Sequence, residues 1–151
     1  MRLSRKEFWQ MIAVTLMSAP PIAYMSFDFM FPNLTPFSTG KNLAVILAIS
    51  FVTGLPSGYF IRRTDLTLLT TILYTSVGYV LAVLMYSGPY TFYQVEMVLP
   101  DLYYALFFRF TIVLLFFYVI GGFVGAVSGQ MIGEAIDREE TSTNFAEKPE
   151  G

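Results

Sequence analysis

Long apolar stretches separated by short polar segments dominate the chain. Three of these stretches are residues 42–61, 66–86 and 102–132. Each holds about twenty residues or more, the length that an α-helix needs to cross a hydrocarbon core about 30 Å thick. The stretches at 42–61 and 66–86 contain no charged residue, and only residues 62–65 separate them. The pattern therefore predicts three membrane-spanning helices, two of which form a tight hairpin.

A fourth apolar stretch, residues 8–27, is interrupted by Pro20 and Pro21. A helix that ended at Ala19 would be too short to cross the hydrocarbon core. Proline within a helix removes one backbone hydrogen bond and crowds the preceding turn, which produces a kink. We therefore expect a kinked helix that continues to Phe27 and makes a fourth span.

The same stretch has a second interpretation, which is a cleaved signal peptide. Arg2, Arg5 and Lys6 precede the apolar residues, as they do in secretory signals, and the stretch reaches a group of small residues. However, Met17 occupies a position where the cleavage site requires a small residue, and Pro20 would follow the cut directly. We therefore favour a retained helix.

The four spans predict an all-α integral membrane protein, with a bundle of four transmembrane helices that form two hairpins over residues 1–136. Both termini would then lie on the same side of the membrane as the turn at 62–65. Seven of the nine Lys and Arg residues fall on that side: Arg2, Arg5, Lys6, Arg62, Arg63, Arg138 and Lys148. Since cytoplasmic flanks carry the excess of Lys and Arg, we expect cytoplasmic termini and a multi-pass location in the cell membrane. Residues 137–151 are polar and acidic, and we expect a disordered cytoplasmic tail.

The amino-acid composition indicates a protein that is surrounded by lipid. It also excludes several kinds of catalytic and metal-binding site. Hydrophobic residues make up 55% of the 151 residues and charged residues only 13%, which would leave a soluble domain with much apolar surface in water. The absence of Cys and His excludes thiolate metal sites and a histidine general base. We therefore expect no enzyme activity, no catalytic or metal-binding residue and no cofactor. The few Lys and Arg residues form no basic surface, so we expect no nucleic-acid partner.

Glycine recurs at every fourth position of the last span. This glycine row consists of Gly121, Gly125, Gly129 and Gly133. Four residues advance a helix by slightly more than one turn, so the glycines lie close to one face. Small residues let two helix backbones approach each other in lipid, where apolar burial contributes little to association. The row therefore predicts a glycine zipper, which is a close helix contact. Candidate counterparts in the same chain are Ala44, Ala48, Gly54 and Gly58 of the 42–61 span, or Gly78 and Ala82 of the 66–86 span.

The pattern leaves three partners open for the glycine row. We favour a helix of the same chain, ahead of a second copy of the chain and of a pore or ligand groove lined by exposed backbone. A short internal similarity is a separate feature of these two spans. The sequence GLPSG at residues 54–58 resembles GAVSG at residues 125–129, near corresponding ends of the two spans. The similarity fits a parallel repeat of two hairpins, and chance in a membrane chain rich in Gly and Ser is the alternative explanation.

Arg109 is the only charged residue inside a predicted span. Residues 110–132 are long enough to cross the membrane, so Arg109 can lie at the outer boundary with its guanidinium in the headgroup region. The alternative is a functional site, in which Arg109 pairs with an acidic residue or binds a lipid phosphate. The candidate acidic partners are Asp28, Glu96 and Asp101, the last of which follows Pro100 and also suits a helix cap.

These features predict an accessory, assembly or scaffold subunit that acts without catalysis and packs through its glycine helix. Its expected partners are membrane lipids and either other membrane protein subunits or further copies of itself. The alternative is a small oligomeric channel or transporter. Hydroxyl-bearing residues on the third span would then line its path: Thr67, Thr70, Thr71, Thr75 and Ser76.

Overall fold

The computed structural model describes residues 4–30, 42–93 and 100–146. This part of the chain is all-helical and contains four helices: α1 (Arg5–Met30), α2 (Leu43–Ile61), α3 (Thr64–Tyr93) and α4 (Pro100–Ala146). Over these residues, α2, α3 and α4 are long and apolar enough to cross a membrane. The all-helical class and three of the spans agree with the sequence prediction, and a four-helix bundle is consistent with the structure.

α1 begins at a reciprocal cap formed by Ser4 and Glu7. The Ser4 backbone N–H donates to Glu7 Oε2 at 2.8 Å, and the Glu7 N–H donates to Ser4 Oγ at 3.2 Å. This capping box satisfies backbone donors that have no partner within the helix. α1 then continues through Pro20 and Pro21 as far as Met30. The helix is therefore long enough to cross a membrane, although its composition is less apolar than that of the other three.

α2 and α3 form the predicted tight hairpin. α2 is capped at its start by Asn42, whose Oδ1 accepts a hydrogen bond from the Ala44 N–H at 3.0 Å. At its end Arg62 adopts the left-handed conformation with φ of 54°, and its N–H donates to the Gly58 carbonyl oxygen. This geometry usually ends a helix at glycine. Only Arg62 and Arg63 then separate α2 from α3.

α4 is longer than the sequence analysis predicts. The predicted span ends at residue 132 and the predicted tail begins at 137, but the helix continues to Ala146. The first part of the predicted disordered tail is therefore helical. The reason is local, because residues 134–146 contain no Pro or Gly and include several good helix formers. The remainder of the predicted tail, residues 147–151, lies outside the described residues.

The helices pack as two parallel pairs, α1 with α3 and α2 with α4. In the first pair, Glu7 contacts Arg63 and Ala19 lies beside Gly78, so residue numbers rise together along both helices. The second pair shows the same direction, as its glycine contacts below establish. As a result, the start of α1, the α2–α3 turn and the 130–137 segment of α4 lie together. We call this end of the bundle the turn end.

Many large apolar side chains point outward, and most of the small hydroxyl side chains point inward. On α3 the outward residues are Leu68, Leu69, Ile72, Leu73, Val77, Val80, Leu84 and Met85. The inward residues include Thr67, Thr70, Thr71 and Thr75, all of which are buried. A soluble bundle has the opposite arrangement, with polar residues facing water and large apolar residues in the core. The outer surface of this fold is therefore suited to lipid rather than to water.

Candidate functional site

The glycine row of α4 faces α2 of the same chain. A methyl group added at Gly125 would overlap the carbonyl oxygen of Phe51, and one added at Gly129 would overlap that of Leu55. At Gly121 the nearest atom would be Ser50 Cβ, at 2.8 Å. At Gly125 and Gly129 the two backbones thus lie against each other with no side chain between them. Hydrogen alone at these α-carbons permits this approach.

Gly54 and Gly58 make the matching contacts from α2. A methyl group at Gly54 would overlap the carbonyl oxygen of Gly122, and one at Gly58 would overlap that of Ala126. Gly133 differs from the rest of the row, because the nearest atom to an added methyl there is Arg62 Nε at 3.5 Å. That distance is an ordinary van der Waals contact. The close contact therefore ends before the last glycine of the row.

The α2–α4 contact has a local two-fold symmetry. Gly54 lies on the backbone of Gly122, and Gly125 lies on that of Phe51. Gly54 and Gly125 are separated by the same number of residues as Phe51 and Gly122. If α2 and α4 are exchanged, Gly54 takes the place of Gly125 and Phe51 takes the place of Gly122, and the same two contacts result. Gly58 against Ala126 and Gly129 against Leu55 repeat the relation one turn further along.

The symmetric contacts coincide with the GLPSG and GAVSG segments at residues 54–58 and 125–129. Equivalent positions of the two segments therefore occupy equivalent places in the interface. This correspondence is what two hairpins related by a parallel repeat would produce. The five-residue similarity thus has a structural counterpart in the α2–α4 contact.

Tyr74 of α3 fills the space left by one of these glycines. Its side chain is fully buried, and its hydroxyl is directed at Gly122, where an added methyl would overlap it. Tyr74 belongs to a core cluster that also contains Tyr118, Ile22 and Ile46, so it joins all four helices. Nothing in the sequence pattern distinguishes this residue. A lone Tyr in an apolar span carries no signal for the glycine it contacts.

The buried hydroxyl groups are mostly bonded to carbonyl oxygens of their own helix. Thr70 donates to the Leu66 oxygen at 2.7 Å, and Thr75 donates to the Thr71 oxygen at 2.7 Å. Ser18 makes a different bond, because its Oγ donates across to the Thr53 carbonyl oxygen of α2 at 2.8 Å. Bonds of both kinds satisfy hydroxyl groups inside a low-dielectric bundle.

Arg109 lies on α4 with an exposed side chain. Among the described carboxylates, none lies within ion-pair distance of its guanidinium. Asp28 is fully buried in α1. Glu96 and the side chain of Asp101 fall outside the described parts of the chain. The prediction that Arg109 pairs with an acidic residue or a lipid phosphate therefore stays a prediction.

A cluster of polar side chains joins three helices at the turn end. Arg63 pairs with Glu7 of α1 at 3.0 Å and with Asp65 of α3 at 3.0 Å. Arg62 pairs with Asp137 of α4. In the sequence, these arginines indicate only the orientation of the chain. Their pairing becomes visible only when the helix ends are brought together.

A second contact at the turn end is made by Gln130 of α4. Its Nε2 donates to the Arg62 carbonyl oxygen at 3.4 Å, and the Thr64 hydroxyl hydrogen-bonds to its Oε1 at 3.3 Å. Gln130 therefore contacts both sides of the α2–α3 turn. Hydrogen bonds of Gln130 thus hold the part of α4 that follows Gly129 against the α2–α3 turn.

Acid should weaken the turn end through Glu7. The backbone N–H and hydroxyl of Ser4, followed by the Arg63 guanidinium, lower the pKa of Glu7 below its ordinary 4.5. A carboxyl whose pKa is lowered on folding stabilises the fold above its unfolded pKa, and that contribution is lost as pH falls through the folded value. When the pH is lowered from about 7 to about 3, the free energy of unfolding should therefore fall less for the Glu7→Gln variant than for the parent. Unfolding in mixed micelles at each pH measures the difference, and equal losses would contradict the assignment.

Within the described residues, no group of three Asp, Glu, His or Cys side chains is arranged to hold a metal ion. The groups brought together in the interior are peptide groups, hydroxyls, aromatic rings and aliphatic side chains such as Ile22 and Ile46. Comparisons with protein-family models, with curated proteins and with solved structures found no match for the chain.

Proposed function

We propose that the chain is a non-catalytic multi-pass protein of the cell membrane that acts as an accessory, assembly or scaffold subunit. The observation that carries this proposal is the distribution of side chains. Large apolar residues cover the outer faces of the helices, whereas glycines and hydroxyl residues meet inside. The bundle thus presents an outer surface for lipid and membrane partners.

The proposed topology has four spans, with α1 as the fourth. α1 has the length to cross a membrane, and it lies parallel to α3 with Ala19 and Ile22 against Gly78. In this topology the turn end faces the cytoplasm, because it collects Arg5, Lys6, Arg62, Arg63 and Arg138. Both termini then lie in the cytoplasm.

The glycine contact limits where a partner can bind. α2 of the same chain already occupies the face formed by Gly121, Gly125 and Gly129. In this proposal the glycine contact therefore builds the subunit itself, and a partner uses an outward face instead. The outer faces of α3 and α4 are the largest candidates, because exposed Val, Leu, Ile and Phe side chains follow one another along them.

The alternative function is a small oligomeric channel or transporter. Its candidate path residues on α3 give it little support, because Thr70, Thr71 and Thr75 donate their hydroxyls to carbonyl oxygens of α3 itself. Ser76 is exposed on the outer side of the same helix. The three threonines face the interior of the bundle and Ser76 faces outward, so these four residues do not line one path.

Two measurements on the native protein test the proposed function. Purification from the native membrane in a mild detergent should yield a stoichiometric membrane protein partner. Deletion of the chain should lower the abundance of that partner, as expected when an assembly subunit is lost. Purified protein in liposomes should give no ion or solute flux above empty liposomes. Protein-dependent flux of a specific solute, without a partner, would contradict the proposal and favour the channel or transporter.

A further inference from the structure

A polar cleft opens at the turn end of the bundle, between the start of α1 and the end of α2. Its volume is about 550 Å³. From α1 it is lined by Ser4, Lys6, Glu7 and Gln10, and from the end of α2 by residues 59–62. Gln10 Nε2 donates to the Phe60 carbonyl oxygen at 3.2 Å, so the two helix ends are tied together beside the cleft.

An apolar groove of about 240 Å³ adjoins the polar cleft. Tyr59 and Phe60 line both spaces, and their rings contact each other edge to face with centroids 5.2 Å apart. The remaining walls of the groove come from α2 and α4: Leu55, Pro56, Gly129 and Ile132. The polar and the apolar space therefore share one aromatic pair.

The charge that faces the polar cleft is positive on balance. Lys6 is exposed, and no described carboxylate lies within ion-pair distance of its ammonium group. The negative charge of Glu7 is compensated by Arg63 at 3.0 Å and by the Ser4 hydrogen bonds. Arg62 pairs with Asp137, which lies outside the cleft lining. Lys6 is therefore the cation available to a ligand.

We propose that the cleft and the groove together bind one anionic phospholipid of the cytoplasmic leaflet, with its phosphate near Lys6 and an acyl chain between α2 and α4. The inference rests on the membrane topology proposed above. Basic pockets between helices on the cytoplasmic side are suited to anionic headgroups, and each Lys near the surface contributes about 1 kcal/mol to such binding. The adjoining apolar groove selects a lipid over a free phosphate, because only a lipid fills both spaces.

The chain's single Trp provides the test. Trp9 is 60% exposed on the outer surface of α1. In the sequence it lies between Lys6 and Gln10, which line the cleft. Full-length protein is reconstituted into phosphatidylcholine vesicles that contain a minor fraction of phosphatidylglycerol. Bromine is placed on the acyl chains of either lipid in turn, and quenching of Trp9 fluorescence reports which lipid lies next to α1. The proposal predicts preferential quenching by brominated phosphatidylglycerol.

Lys6→Gln should lower this preference by about fivefold, which corresponds to about 1 kcal/mol. Arg5→Gln is the matched control, because it removes the same charge from the same helix at a residue outside the cleft. It should leave the preference nearly unchanged. Equal losses in both variants would show general electrostatic attraction and would overturn the proposal, as would no loss in either.

Two further outcomes are distinguishable. If phosphatidylglycerol has no advantage and inorganic phosphate alone changes Trp9 fluorescence in the parent but not in Lys6→Gln, the cleft binds a soluble anion and the lipid proposal is wrong. If brominated phosphatidylcholine quenches Trp9 but phosphatidylglycerol has no advantage, the topology stands and the lipid site fails. If neither lipid quenches Trp9, the membrane placement of α1 fails as well.

Discussion

Replacing Gly58 by Ala should destabilise the protein by about 2–3 kcal/mol, although the change adds only one methyl group. That methyl carbon would overlap the carbonyl group of Ala126, and it would lie 2.7 Å from the backbone nitrogen of Gln130. Both are backbone atoms of α4, which no rotamer change can move. α2 and α4 would have to separate, and every contact along the pair would weaken.

Gly133→Ala is the matched control in the same glycine row. Its added methyl would meet Arg62 Nε at 3.5 Å and the Tyr59 carbonyl oxygen at 3.6 Å, which are ordinary contacts. Ala also favours the helix over Gly by about 1 kcal/mol in water. This variant should therefore be neutral or slightly more stable than the parent. Reversible unfolding in mixed detergent micelles measures both variants, and similar stabilities would contradict the packing described for α2 and α4.

Gly122→Ala should also destabilise the protein, and Tyr74→Phe should restore most of the loss. The added methyl at residue 122 would overlap the Tyr74 hydroxyl, whereas it would lie 3.4 Å from the ring carbon that carries the hydroxyl. Removing the hydroxyl therefore removes the overlap. We expect Gly122→Ala alone to cost about 1–3 kcal/mol, as is usual for overpacking.

The single variant Tyr74→Phe controls for the loss of the hydroxyl itself. Within the described residues, this hydroxyl is buried without a hydrogen-bond partner, so its removal should have little effect on stability. The double variant should thus be more stable than the sum of the single effects predicts, by about 1 kcal/mol or more. Additive effects in the same unfolding assay would mean that Tyr74 and Gly122 do not meet.

The sequence predicts the helices well because length and polarity suffice to define them. The hairpin at Arg62 and Arg63 follows from two uncharged stretches with only four residues between them. The structure extends α4 beyond the predicted end of the span, because the loss of apolar character ends a membrane span but does not by itself end a helix. A helix that leaves the apolar region continues as long as its residues favour helix, and the first Pro after Gly133 is Pro149.

The glycine row illustrates a different limit. The spacing from Gly121 to Gly133 predicts a face on which another backbone can lie, but the same face would suit a helix of this chain or of another copy. Only the three-dimensional arrangement identifies α2 as the partner. It also shows that a methyl group fits beside Gly133 but would overlap the α2 backbone at Gly129. The choice depends on tertiary geometry that no local spacing encodes.

The turn end shows the same limit for polar residues. Glu7 and Arg63 are far apart in sequence, as are Arg62 and Asp137, and each residue alone resembles an ordinary charge at a helix end. Their pairing follows from the parallel packing of α1 with α3 and of α2 with α4. The candidate lipid cleft beside Lys6 likewise depends on how α1 and α2 meet.

Disulfide formation between Ser50→Cys and Gly121→Cys tests most directly whether the glycine row packs against α2 of its own chain. The native chain has no Cys, and a Cβ built at Gly121 lies 2.8 Å from Ser50 Cβ, within about 1 Å of the spacing in a disulfide. Oxidation of the double variant in membranes should give a crosslinked monomer, while either single variant should give none. Crosslinked dimers in place of the crosslinked monomer would show that the row packs between chains and would contradict the fold described here.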